Sequence, residues 1–330
     1  MVFMGLVIAD TIVQSTRWYA SDLIEICRTE VEVGAVPDRE SWLILLASAE
    51  GERVERTFAD VKRSAWARGL RSLIGGRTTL RRAVERACRV VPRDRICAVV
   101  DGQHTRFWRR ALSVLPSGHV VEQPRACGTC NEVLLGLLWI LERDPLAHVI
   151  VFPAGHQVQD EPALTASLLE AAASSQAAGS HQLTLVGIQP ERADPDVGYI
   201  VPGRRLADGT RSVYRVVDRS EAALARELVA TGGLWDSGII SGRAATLLGM
   251  LRERLADVVD RTETAWARDG RLAAGGSARC ELYKELPTID LSRIVVQGAE
   301  SQLRVITAPR CGWVDLASRP SAAADSAQVA

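Results

Sequence analysis

Four short runs of apolar residues, separated by stretches of helical periodicity, constrain this chain more than any other feature. They lie at residues 42–47 (Trp42-Leu43-Ile44-Leu45-Leu46-Ala47), 96–100, 148–152 and 183–188. A strand that faces water on one side alternates apolar and polar residues. A run without that alternation is buried on both faces, as in a parallel strand between two helical layers. Residues 79–90, 131–143 and 161–178 between the runs carry helical patterns. Strand and helix alternating in this way predict a doubly wound α/β sheet.

The second half is more mixed. Residues 213–217 and 234–241 read as strands, 220–231 as a helix capped by Ser220, and 243–270 as an Arg-rich helix. Residues 1–40 form an N-terminal extension, with a short helix starting at Ser21-Asp22, and residues 318–330 form a small, polar tail expected to be disordered. No linker divides the stretch between them, so residues 41–317 are expected to be one domain. The pattern places a ligand cleft at the carboxyl ends of the strands ending at Ala47 and Phe152, with residues 213–241 and 305–316 covering one half of it.

Charge narrows the function classes. The 330 residues carry 40 Lys+Arg and 40 Asp+Glu, which leaves no global field to hold nucleic acid or an anionic membrane. No apolar run reaches the roughly 18–20 residues of a membrane span. The opening MVFMGLVIAD lacks a basic region, so no signal peptide is expected. Seven scattered cysteines fit reduced thiols in a cytoplasm. Cys127 and Cys130 form a CxxC, but no second pair completes a zinc site.

Chemistry-bearing motifs begin with the first strand's loop, Leu46-Ala47-Ser48-Ala49-Glu50-Gly51-Glu52-Arg53. A phosphate loop needs glycines, so that backbone N–H groups approach the anion, and a basic residue. This loop has one of each. From Ser41 to Arg319 the chain resembles the mannose-1-phosphate guanylyltransferases of the sugar-nucleotide pyrophosphorylase superfamily. The family's L-A-G-G-x-G-x-R falls on this loop, and its P-K-Q-F on Ala67-Arg68-Gly69-Leu70 ahead of Gly75-Gly76-Arg77-Thr78. Its E-P-x-x-x-G-T falls on residues 122–129, ending Gly128-Thr129, and its L-P-S-D-H on Phe152-Pro153-Ala154-Gly155-His156. Next come Gly187-Ile188-Gln189-Pro190 and the sugar loop Gly198-Tyr199-Ile200. F-V-E-K-P is matched by Val216-Val217-Asp218-Arg219-Ser220, L-W-N-S-G by Leu234-Trp235-Asp236-Ser237-Gly238, and G-W-x-D-L-G by Gly312-Trp313-Val314-Asp315-Leu316-Ala317.

The resemblance implies a Rossmann-like mixed sheet of the nucleotide-diphospho-sugar transferase type, on which a sugar 1-phosphate attacks the α-phosphorus of GTP and releases pyrophosphate. Carried over position by position, it implies nucleotide binding by Ala47, Gly51, Arg53, Gly128 and Thr129. Sugar phosphate would be bound by Gly198, Tyr199, Asp218, Arg219, Trp235 and Asp236. Arg53, Arg68 and Arg219 would be the catalytic cations, converging on one anion site. The cofactor implied is Mg²⁺, held by Asp315 and a second acid whose position here is Gly155. The partners implied are GTP and sugar 1-phosphate, with a homo-oligomer left open.

Several positions depart from the family pattern. Ser48 and Ala49 replace paired glycines, and a Cβ there is expected to hinder close phosphate approach. Arg68 and Arg219 replace lysines in a chain whose lysines are Lys62 and Lys284 alone. Losing the carboxylate at Gly155 is the most serious change, because Mg²⁺ makes few protein contacts. Three readings follow: a guanylyltransferase with a rebuilt metal site, a sugar-nucleotide-binding pseudoenzyme, or a transferase of shifted base or sugar preference.

Overall fold

The computed structural model describes residues 38, 40–48, 79–177, 181–270 and 273–316. The first apolar run forms β1 (Ser41–Leu46), buried along its whole length. Its side chains divide as a doubly covered strand requires: Ile44 and Leu46 join one hydrophobic cluster, and Leu43 and Leu45 the other. Helix α1 (Thr79–Val90) leads into β2 (Ile96–Asp101), and the one-turn α2 (Thr105–Trp108) precedes β3 (Val120–Gln123). Helix α3 (Thr129–Leu141) then feeds β4 (His148–Pro153). These four strands are mutually parallel, in the order β3-β2-β1-β4.

After β4 the chain forms the two-residue β5 (His156–Gln157), helix α4 (Glu161–Ala177), β6 (Leu183–Ile188), β7 (Tyr199–Arg205) and β8 (Arg211–Val217). Helix α5 (Ala222–Ala230), β9 (Leu234–Arg243), the long α6 (Ala244–Arg268), α7 (Ser277–Glu285), β10 (Leu303–Ala308) and β11 (Val314–Asp315) complete it. The main sheet has nine strands in the order β3-β2-β1-β4-β9-β6-β10-β8-β7. It is mixed, because β9 runs antiparallel to both β4 and β6. Helices α3, α6 and α7 bury one face, and α1, α4 and α5 the other. On the first face Gly136 of α3 meets β1 so closely that a Cβ would lie 2.6 Å from Ile44 Cγ2.

Two sequence expectations are corrected here. Residues 234–241 and 305–308 do not cover the cleft: β9 and most of β10 are interior strands of the main sheet. Their apolar residues are buried because both clusters need them, as with Ile240 and Val305 on one face and Ile239 and Ile306 on the other. Ser220 does not cap α5: the N-cap is Glu221, which makes no side-chain cap bond. The CxxC thiols are free and buried in the core. No helix among the described residues is long and apolar enough to cross a membrane.

Candidate functional site

Antiparallel β9 starts where its parallel neighbours end, so one edge of the sheet gathers the ends of β1, β2, β3, β4, β6 and β10 with the beginning of β9. Side chains and loops diverge at such an edge and leave a crevice. Ala47 continues the ladder there through its N–H to Val99 O at 2.9 Å, and Ala154 N donates to Leu46 O at 2.9 Å. The turn after β4 makes β5, whose His156 pairs with Asp315 of β11. The sequence thus brings Ala47, Phe152 and Asp315 to one edge although β11 lies near the end of the chain.

On the nucleotide half, Ser48 does not project into the crevice. Its side chain turns inward, 1% exposed, and its hydroxyl accepts from Gln123 Nε2 at the end of β3. The same amide nitrogen reaches Glu132 Oε1 at 3.4 Å, in the first turns of α3. Burial pushes the Glu132 carboxyl up to about 8, against hydrogen bonds from Ser48 and Gln123 that favour ionisation. Gln123 Oε1 is buried without a partner among the described residues. Gly128, with φ of +83°, begins α3, and a Cβ there would lie 2.3 Å from Ile289 O. Thr129 Oγ1 accepts from Leu291 N at 2.9 Å. Both residues, read from sequence as nucleotide contacts, therefore also fasten α3 to the segment leading from α7.

On the other half, β9 separates two expected neighbours. Trp235 enters the cluster that contains α4, 2% exposed, and its indole N–H donates to Tyr199 Oη at 3.3 Å. Asp236 turns the other way, accepting from Ser292 Oγ at 2.7 Å and from Gly238 N at 2.9 Å. Burial raises its carboxyl above the ordinary range, eased by those bonds and reinforced by Asp290 and Asp218. Gly198 passes over it: Asp236 N donates to Gly198 O at 2.8 Å, and a Cβ on Gly198 would stand 3.4 Å from both Asp236 Cβ and Val217 O. Asp218 and Arg219 leave β8 beside this contact and are exposed. Tyr199 is fully buried, its hydroxyl accepting from Asp194 N at 2.8 Å and donating to Asp194 O at 3.0 Å. These bonds tie Tyr199 to the backbone of the loop at Asp194.

A shallow, open pocket lies on the Trp235 side, lined by Arg192, Asp194, Asp196, Trp235, Trp313 and Asp315 among others. Trp235 and Trp313 stand 5.9 Å apart at 40°, and the Arg192 guanidinium lies 5.7 Å from the Trp235 ring. Beneath them His156 is 2% exposed, 5.2 Å from Trp313. Burial holds it down to about 4, with Asp315 pulling upward and Arg86 pushing down. It is a neutral imidazole at physiological pH.

Of the two acid positions that the resemblance implies for Mg²⁺, Asp315 carries a carboxylate and position 155 does not. Position 155 offers only backbone, its carbonyl accepting from Leu316 N at 3.1 Å. Asp160 caps α4, accepting from Ala163 N at 3.1 Å. Among the described residues no group of three or more His, Cys, Asp or Glu side chains is placed to hold a metal ion. Gly51, Arg53 and Arg68 lie outside the described residues, so the expected arginine convergence is represented here by Arg219 alone. Sequence reasoning missed Glu132, Arg192 and Asp194. Glu132 was hidden inside an apolar helical run, and the other two in a loop without a motif of its own.

These features define a class, the α/β fold of the nucleotide-diphospho-sugar transferases. No family model matches the chain. It is 26% identical over 282 residues to the xanthan biosynthesis protein XanB of Xanthomonas campestris pv. campestris, covering 83% of this chain and 57% of XanB. It is 22% identical over 224 residues to a Vibrio cholerae protein provisionally named mannose-1-phosphate guanylyltransferase, covering 67% of this chain and 45% of that protein. The crystal structure of a Thermus thermophilus protein described as mannose-1-phosphate geranyltransferase matches with a TM-score of 0.65 at 22% identity, over 84% of this chain and 76% of that one. The chain is thus similar to these proteins over most of its own length, and it spans about half the length of the curated relatives it matches.

Proposed function

We propose that the protein binds a guanine nucleotide and a hexose 1-phosphate across the carboxyl edge of its sheet and lacks efficient Mg²⁺-dependent guanylyl transfer. The reading rests on the β5–β11 bridge, which sets Asp315 beside His156 while the adjoining position is Gly155. In this site type two polyanions must be brought together, and charge on the transferring phosphoryl must be neutralised. Asp315 alone leaves that neutralisation to the substrates' own oxygens and to arginines. Asp236 near the start of β9, the Gly198 backbone and Arg219 supply sugar-side contacts, while Ala47 lies on the nucleotide side.

A second reading, retained transfer with carboxylates from new positions, is favoured by Asp194 and Asp196 lining the same pocket as Asp315. Titration calorimetry with GTP and with mannose 1-phosphate, together with pyrophosphate release in Mg²⁺ or Mn²⁺, separates the two. The expected result is binding of both ligands with little or no pyrophosphate release. Gly155→Asp is expected to gain Mn²⁺ binding before it gains turnover. Robust wild-type release would establish the second reading, and failure of both ligands to bind would refute the proposal.

A further inference from the structure

Asp236 is held by an irregular stretch of backbone. After Asp290 the chain makes a π-helical turn over Ser292–Val296, closed by Gln297 N donating to Ser292 O at 3.0 Å, five residues back. Such turns are rare and recur at functional sites. This one is braced from two sides. From α6, Arg254 Nη1 donates to the carbonyls of Ile294 at 3.3 Å and Gln297 at 3.1 Å, and the next residue, Leu255, leaves helical geometry with φ of −138°. From β8, Val216 O accepts from Gln297 Nε2 and Val216 N donates to Glu300 Oε1, both at 3.5 Å, two residues before Asp218. From the turn so held, Ser292 Oγ donates to Asp236 Oδ2 at 2.7 Å, while Gly238 N donates to Oδ1 at 2.9 Å.

A carboxylate oxygen accepts about two hydrogen bonds, so these two donors leave acceptor capacity on both oxygens. Where the family motif has Asn, an ionised Asp is an acceptor only and suits hydroxyl donors. Its ionisation is opposed by burial and by two acids, Asp290 before the turn and Asp218 leaving β8, and is favoured by the Ser292 and Gly238 bonds. Arg219 and Arg293 follow on the same two segments and are exposed. We propose that Ser292 is a positioning residue of the sugar side: it fixes the Asp236 carboxylate so that its remaining lone pairs accept from ring hydroxyls of a hexose 1-phosphate. The inference rests on the sugar-phosphate reading for its ligand; the anchoring of Asp236 stands apart from it. Without the Ser292 hydroxyl the carboxyl is pushed further up, so protonation, which turns an acceptor into a donor, sets in at higher pH.

The test uses the full chain with Ser292→Ala, which removes the hydroxyl, and Ser292→Thr, which keeps it. Calorimetric affinities for mannose 1-phosphate and GTP are measured from pH 5 to 8, together with hydrogen exchange of the peptide containing Gly238. Ser292→Ala is expected to bind mannose 1-phosphate about tenfold more weakly, the loss of one hydrogen bond to a charged group. Its affinity is expected to start falling at a higher pH than that of the wild type, and its Gly238 peptide to exchange faster. GTP affinity should stay within about twofold, and Ser292→Thr should restore the wild-type values. A Ser292→Ala protein with wild-type affinity and pH profile for mannose 1-phosphate would overturn the proposal. Equal losses for both ligands would overturn it too, because they mark a general loosening of the molecule. If the wild type binds mannose 1-phosphate at no pH, the sugar-phosphate reading fails and exchange decides the rest. Faster exchange at Gly238 in Ser292→Ala alone then upholds the anchoring, and equal exchange in all three proteins overturns it.

Discussion

At the scale of single residues, the candidate site is built as much by backbone demands as by functional side chains. Gly128 shows this most sharply. Its φ of +83° is one that L side chains rarely adopt, and an added Cβ would strike the Ile289 carbonyl at 2.3 Å. The obstacle is backbone fastened to α3, since Cys130 N donates to Ile289 O at 3.1 Å and Ile289 N to Cys127 O at 3.0 Å. Gly128→Ala should therefore cost about 2–4 kcal/mol, from left-handed strain plus overpacking. Urea denaturation would check this, and a loss below 0.5 kcal/mol would show that the contact yields. Sequence spacing located Gly128, Asp236 and Asp315 but not the direction of their side chains. Trp235 and Asp236 are adjacent, yet strand geometry sends them to opposite faces of the sheet. Ser48 was read as an obstacle to phosphate because nothing in the local sequence discloses Gln123 and Glu132, which are 75 and 84 positions away.

At the scale of elements, legibility followed burial pattern. Residues 79–90 and 183–188 were delimited correctly, because a strong amphipathic stripe and an unbroken apolar run are each unambiguous. By contrast, β3 has only four residues, and β7 contains Pro202 and Gly203 and has register shifts, so neither gives a clean period. The strand β10 was absorbed into a covering segment because Arg304 and Thr307 interrupt its run; Arg304 is buried by pairing with Asp208. A similar buried pair joins α6 to α7. Asp269 accepts from Ala278 N at 2.9 Å, Arg279 N at 3.0 Å and Arg279 Nε at 3.1 Å, and the two side chains are 3% and 0% exposed. The Arg279 guanidinium also stacks 4.7 Å from the Trp266 ring. Removing the carboxylate strands a buried cation and uncaps a helix, so Asp269→Ala should cost about 3–5 kcal/mol. Asp269→Asn keeps an acceptor and should lose roughly half as much. Equal urea midpoints for Asp269→Ala and wild type would show that α7 is held by its apolar face alone.

At the scale of the whole molecule, Glu132 and His156, both buried at the carboxyl edge, tilt stability in opposite directions. Glu132 rises on folding from 4.5 to about 8, so its contribution is complete below pH 4.5 and is lost as pH climbs through about 8. His156 falls from 6.5 to about 4, so its contribution is complete above pH 6.5 and is lost as pH drops toward about 4. Between pH 4.5 and 6.5 the slopes cancel: unfolding releases a proton at Glu132 and takes one up at His156. Below pH 3.8 the depressed carboxyls of Asp208 and Asp269 add to the acid loss. From pH 6.5 to 8 Glu132 acts alone of these groups, and at roughly 1.4 kcal/mol per pH unit the chain should lose about 2 kcal/mol. The expected profile is a plateau on the acidic side of neutrality with a decline toward pH 8, unusual for a chain with no net charge at pH 7. Urea denaturation at half-unit steps from pH 4.5 to 8.5 would trace it, and Glu132→Gln should abolish the decline while leaving the acid limb in place. A wild-type stability that is flat or rising between pH 6.5 and 8 would mean that Glu132 is already ionised at neutrality, with its charge held by Ser48, Gln123 and water.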